Sequence, residues 1–112
     1  VFLYFTWGPE AFPLVNIEAM SRGTPVIARR SGGSLESIER TGGGLIYNEP
    51  DELLPLLDRM ANDSELRQSL AAKAIAGFQE HYSEERWMEQ YFEVIANIRK
   101  VNSLRSSDSE LR

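Results

Sequence analysis

Two glutamates, Glu10 and Glu18, are the residues of this sequence whose type and spacing could do chemistry. Glu10 precedes a predicted short helix, and Glu18 lies inside it. Pro13 has the fixed backbone angle and the missing N–H that suit the first turn of a helix, so we expect the helix to begin there. The free N–H groups and the positive dipole end of such a helix would attract an anion such as a diphosphate.

The predicted helix is apolar on more than one side, which makes Glu18 unusual. Its apolar neighbours are Leu14, Val15, Ile17, Ala19 and Met20. This pattern predicts a largely buried helix, in which an ionised carboxylate is costly unless something satisfies it. A carboxylate only accepts hydrogen bonds, and its two oxygens match the adjacent hydroxyls of a ribose. Two acceptors that flank a phosphate-binding helix end therefore suggest a sugar nucleotide.

Each glutamate taken alone also has an ordinary interpretation. A glutamate that precedes a helix is usually solvated and complements the helix dipole, as Glu10 would. Glu18 alone is also more often structural than functional, although buried charges are uncommon without a reason. The residues that surround the pair decide between these interpretations.

The order of residues around the pair closely resembles a known family. Glu10, seven intervening residues and Glu18 are followed by Ala-Met-x-x-Gly-Thr-Pro-Val-Ile-Ala and then by Gly-Gly-Ser-Leu-Glu. This is similar to the Glu-x7-Glu signature of retaining glycosyltransferases with the GT-B fold, the glycosyl transferases group 1 or family 4. The similarity continues through residues 43–47 and the paired helices that follow, to residue 98.

The resemblance implies a role for each matched position. In such enzymes the first glutamate, here Glu10, contacts hydroxyls of the donor sugar, and the second, here Glu18, holds the ribose of the nucleotide. Backbone amides around Phe12, Leu14 and Val15 would approach the sugar and the diphosphate. Family members have no clearly assigned protein nucleophile, so both glutamates are expected to position the donor.

The sequence departs from the family at Pro13, where many members have glycine, and proline removes one possible amide donor. The resemblance implies no cofactor and no metal, because the family is generally metal-independent and its substrate is a nucleoside-diphosphate sugar. The acceptor, the base and the sugar are not identified.

A complete GT-B enzyme has two Rossmann-like domains, whereas 112 residues suffice for one domain. We therefore expect residues 1–100 to be the C-terminal part of the donor-binding domain, and to be inactive without the N-terminal domain. The final helices would cross back onto that domain, which predicts an exposed apolar patch on them. Residues 101–112 are rich in serine and charge and are expected to form a disordered tail.

Apolar runs that alternate with helical patterns predict an α/β fold, with part of a Rossmann-like parallel sheet followed by C-terminal helices. Strands are expected near residues 1–5, 25–29 and 44–47, the first of them buried on both faces. Gly32 and Gly33 would permit close approach of the backbone to a ligand. The predicted caps of later helices are Ser34, Asp63 or Ser64, and Ser83.

Composition excludes several classes of protein. A net charge of −5 argues against a nucleic-acid partner, and the absence of cysteine excludes disulfides and thiolate metal sites. This composition suits the cytoplasm, with peripheral contact at the inner membrane face through the missing domain as an alternative. Two other functions remain open: a sugar-nucleotide 2-epimerase of the same fold, and a non-catalytic binding or assembly module.

Overall fold

The structure, a computed structural model, describes residues 1–6 and 8–110. The strands are β1 (Phe2–Tyr4), β2 (Val26–Arg29) and β3 (Gly44–Tyr47). The helices are α1 (Leu14–Ser21), α2 (Gly32–Thr41), α3 (Pro50–Asn62), α4 (Ser64–His81) and α5 (Glu84–Glu110). The chain divides into two compact units, Val1–Tyr82 and Ser83–Arg112.

The three strands form one parallel sheet in the order β1-β2-β3, which confirms the predicted α/β fold. Val26, Ile27 and Ala28 of the central strand are completely buried. Successive side chains of a strand point to opposite faces, so β2 contributes to an apolar cluster on each face. One cluster contains Met20, Val26, Ala28, Ile38 and Ala74, and the other contains Ile27, Tyr47, Met60 and Leu70.

Local signals fix most of the helix starts where the sequence predicts them. The first helix begins directly after Pro13. Asp63 caps α4, because its Oδ1 accepts a hydrogen bond of 2.8 Å from the Leu66 N–H. Ser83 precedes α5 in the same way, and its hydroxyl accepts from the Arg86 N–H at 3.2 Å. These side chains satisfy backbone donors that have no partner within the helix.

The second helix begins earlier than predicted, and the prediction that Ser34 caps it is wrong. Ser31 occupies the cap position, and α2 starts at Gly32. Ser34 is fully buried inside the helix, where its hydroxyl oxygen accepts a hydrogen bond from the Asn16 side chain at 3.2 Å. The serine therefore joins two helices and does not begin one.

The first strand is less buried than an apolar run suggests. Leu3 is 39% exposed, and Phe2 and Tyr4 are half-buried, so the prediction of burial on both faces is wrong. Among the described residues β1 has a neighbouring strand on one side only. Phe2 and Tyr4 pack against an apolar cluster, whereas Leu3 on the opposite face is exposed. The strand is thus an edge of the described sheet.

Glycines allow α4 to approach the rest of its unit closely. A Cβ atom added to Gly77 would lie 2.5 Å from the Thr41 Cβ, and one on Gly43 would lie 2.6 Å from the Ala74 Cα. Gly42 differs from them, because its φ of 69° ends α2 in the left-handed region. The glycines that follow α2 therefore serve helix packing as well as backbone direction.

The last helix continues through residues 101–110, where the sequence predicted a disordered tail. Serine hydroxyls donate to carbonyls about one turn earlier, as in the bond of 2.8 Å from Ser103 to Lys100. Residues 111 and 112 lie outside the described part of the chain. The predicted exposed apolar patch is confirmed on α5. Its members are Trp87, Tyr91, Phe92, Val94, Ile98, Val101 and Leu104.

Candidate functional site

The candidate site lies at the carboxyl edge of the parallel sheet. The first strand leads into the loop that precedes α1, and the second leads directly into α2. Because parallel strands end at the same edge, the amino-terminal ends of both helices lie near one another there. Ligands of open α/β sheets bind in the crevice outside these strand ends.

The beginning of α1 has unused hydrogen-bond donors. Within the described residues, the N–H groups of Phe12, Leu14 and Val15 make no hydrogen bond. No side chain caps the helix, and Pro13 has no N–H to offer. The Pro13 carbonyl accepts the next donor, the Asn16 N–H, at 3.1 Å. Three amides at a positive helix end are thus free to bind an anionic ligand.

Glu10 is held at both its side chain and its backbone. The Tyr4 hydroxyl donates to the Glu10 Oε2 at 3.0 Å, and the Gly33 N–H donates to the Glu10 carbonyl at 3.4 Å. The glutamate is half-buried, and in the described part of the chain its Oε1 has no hydrogen-bond partner. One carboxylate oxygen is therefore anchored while the other remains available.

The protonation state of Tyr4 suits this arrangement. Partial burial raises the pKa of its phenol, and the hydrogen bond to Glu10 and the negative charge of that carboxylate raise it further. The hydroxyl consequently remains a proton donor throughout the neutral range.

The loop that carries Glu10 rests on the start of α2. A Cβ atom on Gly33 would lie 2.4 Å from both the Ala11 carbonyl oxygen and the Phe12 Cα. The Phe12 ring contacts the Tyr82 ring, with centroids 5.5 Å apart. The close approach that the sequence predicted at Gly32 and Gly33 is thus made to the neighbouring loop of the protein itself.

Glu18 is exposed, so the prediction of a largely buried helix is wrong. Leu14 is 62% exposed and Val15 is 40% exposed, whereas Asn16 and Met20 are the fully buried residues of α1. The Glu18 carboxylate is therefore not enclosed by apolar side chains. Because it is not buried, its charge does not require a bound ligand to satisfy it. Its assignment as a ribose ligand rests on the spacing of the signature and stays a prediction.

Two side chains near the site were not found from the sequence. Asn16 is fully buried and donates to Ser34, which ties the first turn of α1 to α2. Its Oδ1 has no partner within the described residues. A lone asparagine in an apolar helical pattern was the available signal. Tyr4 gave no signal of a functional role, because it lies within an apolar run that indicates a strand.

No group of three or more His, Asp or Glu side chains in residues 1–6 and 8–110 is arranged as a metal site. Within the same ranges, no helix combines the length and apolarity needed to cross a bilayer.

Several known proteins are similar to this chain. It is 28% identical to the alpha-1,3/1,6-mannosyltransferase ALG2 of Homo sapiens over 95 residues, which is 84% of this chain and 23% of the human protein. It is 38% identical to the D-inositol 3-phosphate glycosyltransferase of Streptomyces griseus over 69 residues, which is 60% of this chain and 15% of that protein. The chain thus spans less than a quarter of the length of these relatives.

The fold also matches a solved structure, that of Alr3699/HepE of Anabaena in complex with UDP, with a TM-score of 0.78 and 26% identity. The match covers 85% of this chain and 27% of the Anabaena chain. The same protein has been solved with UDP-glucose, and that structure matches with a TM-score of 0.76. These are GT-B proteins, so the three-stranded unit is part of a GT-B Rossmann-like domain.

The sequence model described as Glycosyl transferases group 1 matches residues 1–77, which include the sheet, the site and most of α4. The chain therefore belongs to the glycosyl transferases group 1 family.

Proposed function

We propose that this chain is the donor-binding part of a retaining glycosyltransferase, which transfers a sugar from a nucleoside diphosphate to an acceptor. One observation carries the proposal. Three unpaired amides, those of Phe12, Leu14 and Val15, lie at the positive end of α1 at the carboxyl edge of the sheet. Similar solved structures that contain UDP and UDP-glucose support a nucleotide-sugar donor.

Each part of the donor has a matching group in the proposed complex. The amides of Leu14 and Val15 bind the diphosphate, and the Phe12 amide approaches the sugar. Glu10 accepts hydrogen bonds from sugar hydroxyls through its unpaired oxygen. Glu18, exposed in the second turn of α1, accepts from the ribose hydroxyls. No bound metal is required.

The contribution of these residues to the reaction is positional. Holding the anomeric carbon beside the acceptor removes much of the entropic barrier to transfer, and neither glutamate has to form a covalent bond. Stabilisation of the departing diphosphate provides the electrostatic contribution to catalysis, and the α1 amides take part in it. Basic residues elsewhere in the whole protein would add to it, as they do in the family that the signature resembles.

The proposal includes a second domain that binds the acceptor. The relatives are several times longer than this chain, and α5 has an exposed apolar patch, which includes Trp87 and Tyr91. Burial of that patch against an N-terminal domain would remove apolar side chains from water. Residues 1–112 alone would then bind a donor without transferring its sugar. We place the whole protein in the cytoplasm, with the inner membrane face as an alternative site of action.

A donor-turnover assay tests the proposed function. The whole protein is incubated with UDP-glucose and other nucleotide sugars, with candidate acceptors and with EDTA, and the released nucleoside diphosphate is measured. We expect release with at least one donor, unchanged by EDTA and lowered by at least about tenfold in Glu10→Gln, as for loss of a charged hydrogen bond. The anomeric configuration of the product, determined by NMR, should equal that of the donor.

Other outcomes would replace the proposal. A sugar nucleotide returned with inverted C2 would show an epimerase. A folded protein that binds nucleotide sugars but releases no diphosphate with any acceptor would show a binding module. Release that stops with EDTA and returns with a divalent cation would contradict metal independence.

A further inference from the structure

A hydroxyl at the end of β1 fixes the carboxylate that the proposed function assigns to the donor sugar. The Tyr4 hydroxyl donates to Oε2 of Glu10 at 3.0 Å, across six positions of sequence. Tyr4 belongs to a strand with a fixed register, because it lies opposite Ala28 of β2. The phenol that donates this hydrogen bond is thus attached to the sheet, whereas Glu10 lies in a loop.

The backbone of the same loop is fixed independently. The Gly33 N–H donates to the Glu10 carbonyl at 3.4 Å, and Gly33 leaves no room between α2 and the loop. Backbone contacts do not determine where a glutamate side chain points, because three side-chain torsions remain free. The bond from Tyr4 supplies that missing restraint.

We propose that Tyr4 is a positioning residue that orients the Glu10 carboxylate toward the donor sugar. This inference rests on the proposed function. With Oε2 bound to the phenol, Oε1 is the oxygen left to accept from a sugar hydroxyl. A phenol suits the task, because it donates one hydrogen bond without neutralising the carboxylate.

This arrangement gives Tyr4 a distinct effect on two ligands. Free UDP lacks the transferred glucose that would contact Glu10, so the orientation of that carboxylate does not matter for its binding. UDP-glucose makes the contact and requires the orientation. Loss of the phenol hydroxyl should therefore lower the affinity for UDP-glucose and leave the affinity for UDP unchanged.

The test is calorimetric titration of the whole protein with UDP and with UDP-glucose. Tyr4→Phe removes only the hydroxyl and keeps the ring in the sheet. We expect the Kd for UDP-glucose to rise about five- to tenfold, as for the loss of one hydrogen bond, while the Kd for UDP stays unchanged. In a Glu10→Ala background, Tyr4→Phe should have no further effect on either Kd.

Tyr47→Phe is the matched control, because it removes the hydroxyl of another sheet tyrosine, whose oxygen has no hydrogen-bond partner in the described residues. It should change neither Kd. An equal rise in the Kd for both ligands in Tyr4→Phe would make Tyr4 a structural residue and overturn the inference. So would an unchanged affinity for UDP-glucose while Glu10→Ala weakens it, and this result would leave the proposed function standing. A wild-type protein that binds neither UDP, UDP-glucose nor another nucleotide sugar would overturn both.

Discussion

Gly33→Ala should impair donor use through a displacement that the structure allows us to estimate. The added Cβ would lie 2.4 Å from the Ala11 oxygen and from the Phe12 Cα, where ordinary contacts begin near 3.4 Å. The loop that carries Glu10 must therefore move by about 1 Å, since both obstacles belong to the backbone. A misplacement of that size can lower the rate about a hundredfold, or about 2.7 kcal/mol of transition-state stabilisation.

The assay is kcat/KM for release of nucleoside diphosphate by the whole protein. Gly8→Ala is the matched control, because it adds the same methyl group to the same loop where no described atom lies within 4 Å. We expect a loss of about a hundredfold for Gly33→Ala and less than about threefold for Gly8→Ala. A Gly33→Ala protein with wild-type kcat/KM would refute the view that the loop rests on α2.

Three further predictions concern stability. Gly77→Ala should cost about 1–3 kcal/mol in chemical denaturation, because its methyl group would meet Thr41, whereas the same change in an open helix would stabilise it; any gain in stability would contradict the packing. Asp63→Ala should cost about 1 kcal/mol through loss of the α4 cap, and Asp63→Asn should restore most of it. Backbone N–H groups of Asn48 and Glu49 lower the pKa of Glu52. That stabilisation is present above the ordinary carboxyl pKa and is lost as the pH falls through the lowered pKa of Glu52, so the Tm difference between wild type and Glu52→Gln should shrink as the solution is made more acidic.

Much of the fold was predictable because its signals are local. Pro13 and Asp63 mark helix starts through properties of the residues themselves. The parallel sheet follows from apolar runs separated by helical segments, since such connections place strands side by side. The site region was predictable for the same reason, because it follows the ends of those strands.

The contacts within the site were not predictable, because they depend on which side of each element faces the core. An apolar composition suggested that α1 buries Glu18, but the helix buries Asn16 and exposes Leu14. The partners of Asn16 and Tyr4 are set by the packing of α2 and by the path of a loop. No periodicity in the sequence encodes either.

At the end of the chain, the prediction from composition was wrong for a different reason. A composition rich in serine and charge predicted disorder after residue 100, whereas α5 continues to Glu110. Serine is only moderately unfavourable in a helix, and its hydroxyl can bond to a carbonyl of the preceding turn, as Ser106 does to Asn102 at 3.1 Å. Composition alone does not reveal such hydrogen bonds between serine side chains and the helix backbone.

The most direct test of the donor site is calorimetric titration of the whole protein with UDP and other nucleoside diphosphates, comparing wild type with Glu18→Ala. Glu39→Ala, which removes an exposed glutamate from α2, is the control. We expect one nucleotide to bind tightly and to lose at least about tenfold in affinity in Glu18→Ala alone, as for a charged contact worth about 1.5–3 kcal/mol. Equal affinity of a folded Glu18→Ala protein would contradict the assignment of the ribose to Glu18 and with it the proposed donor site.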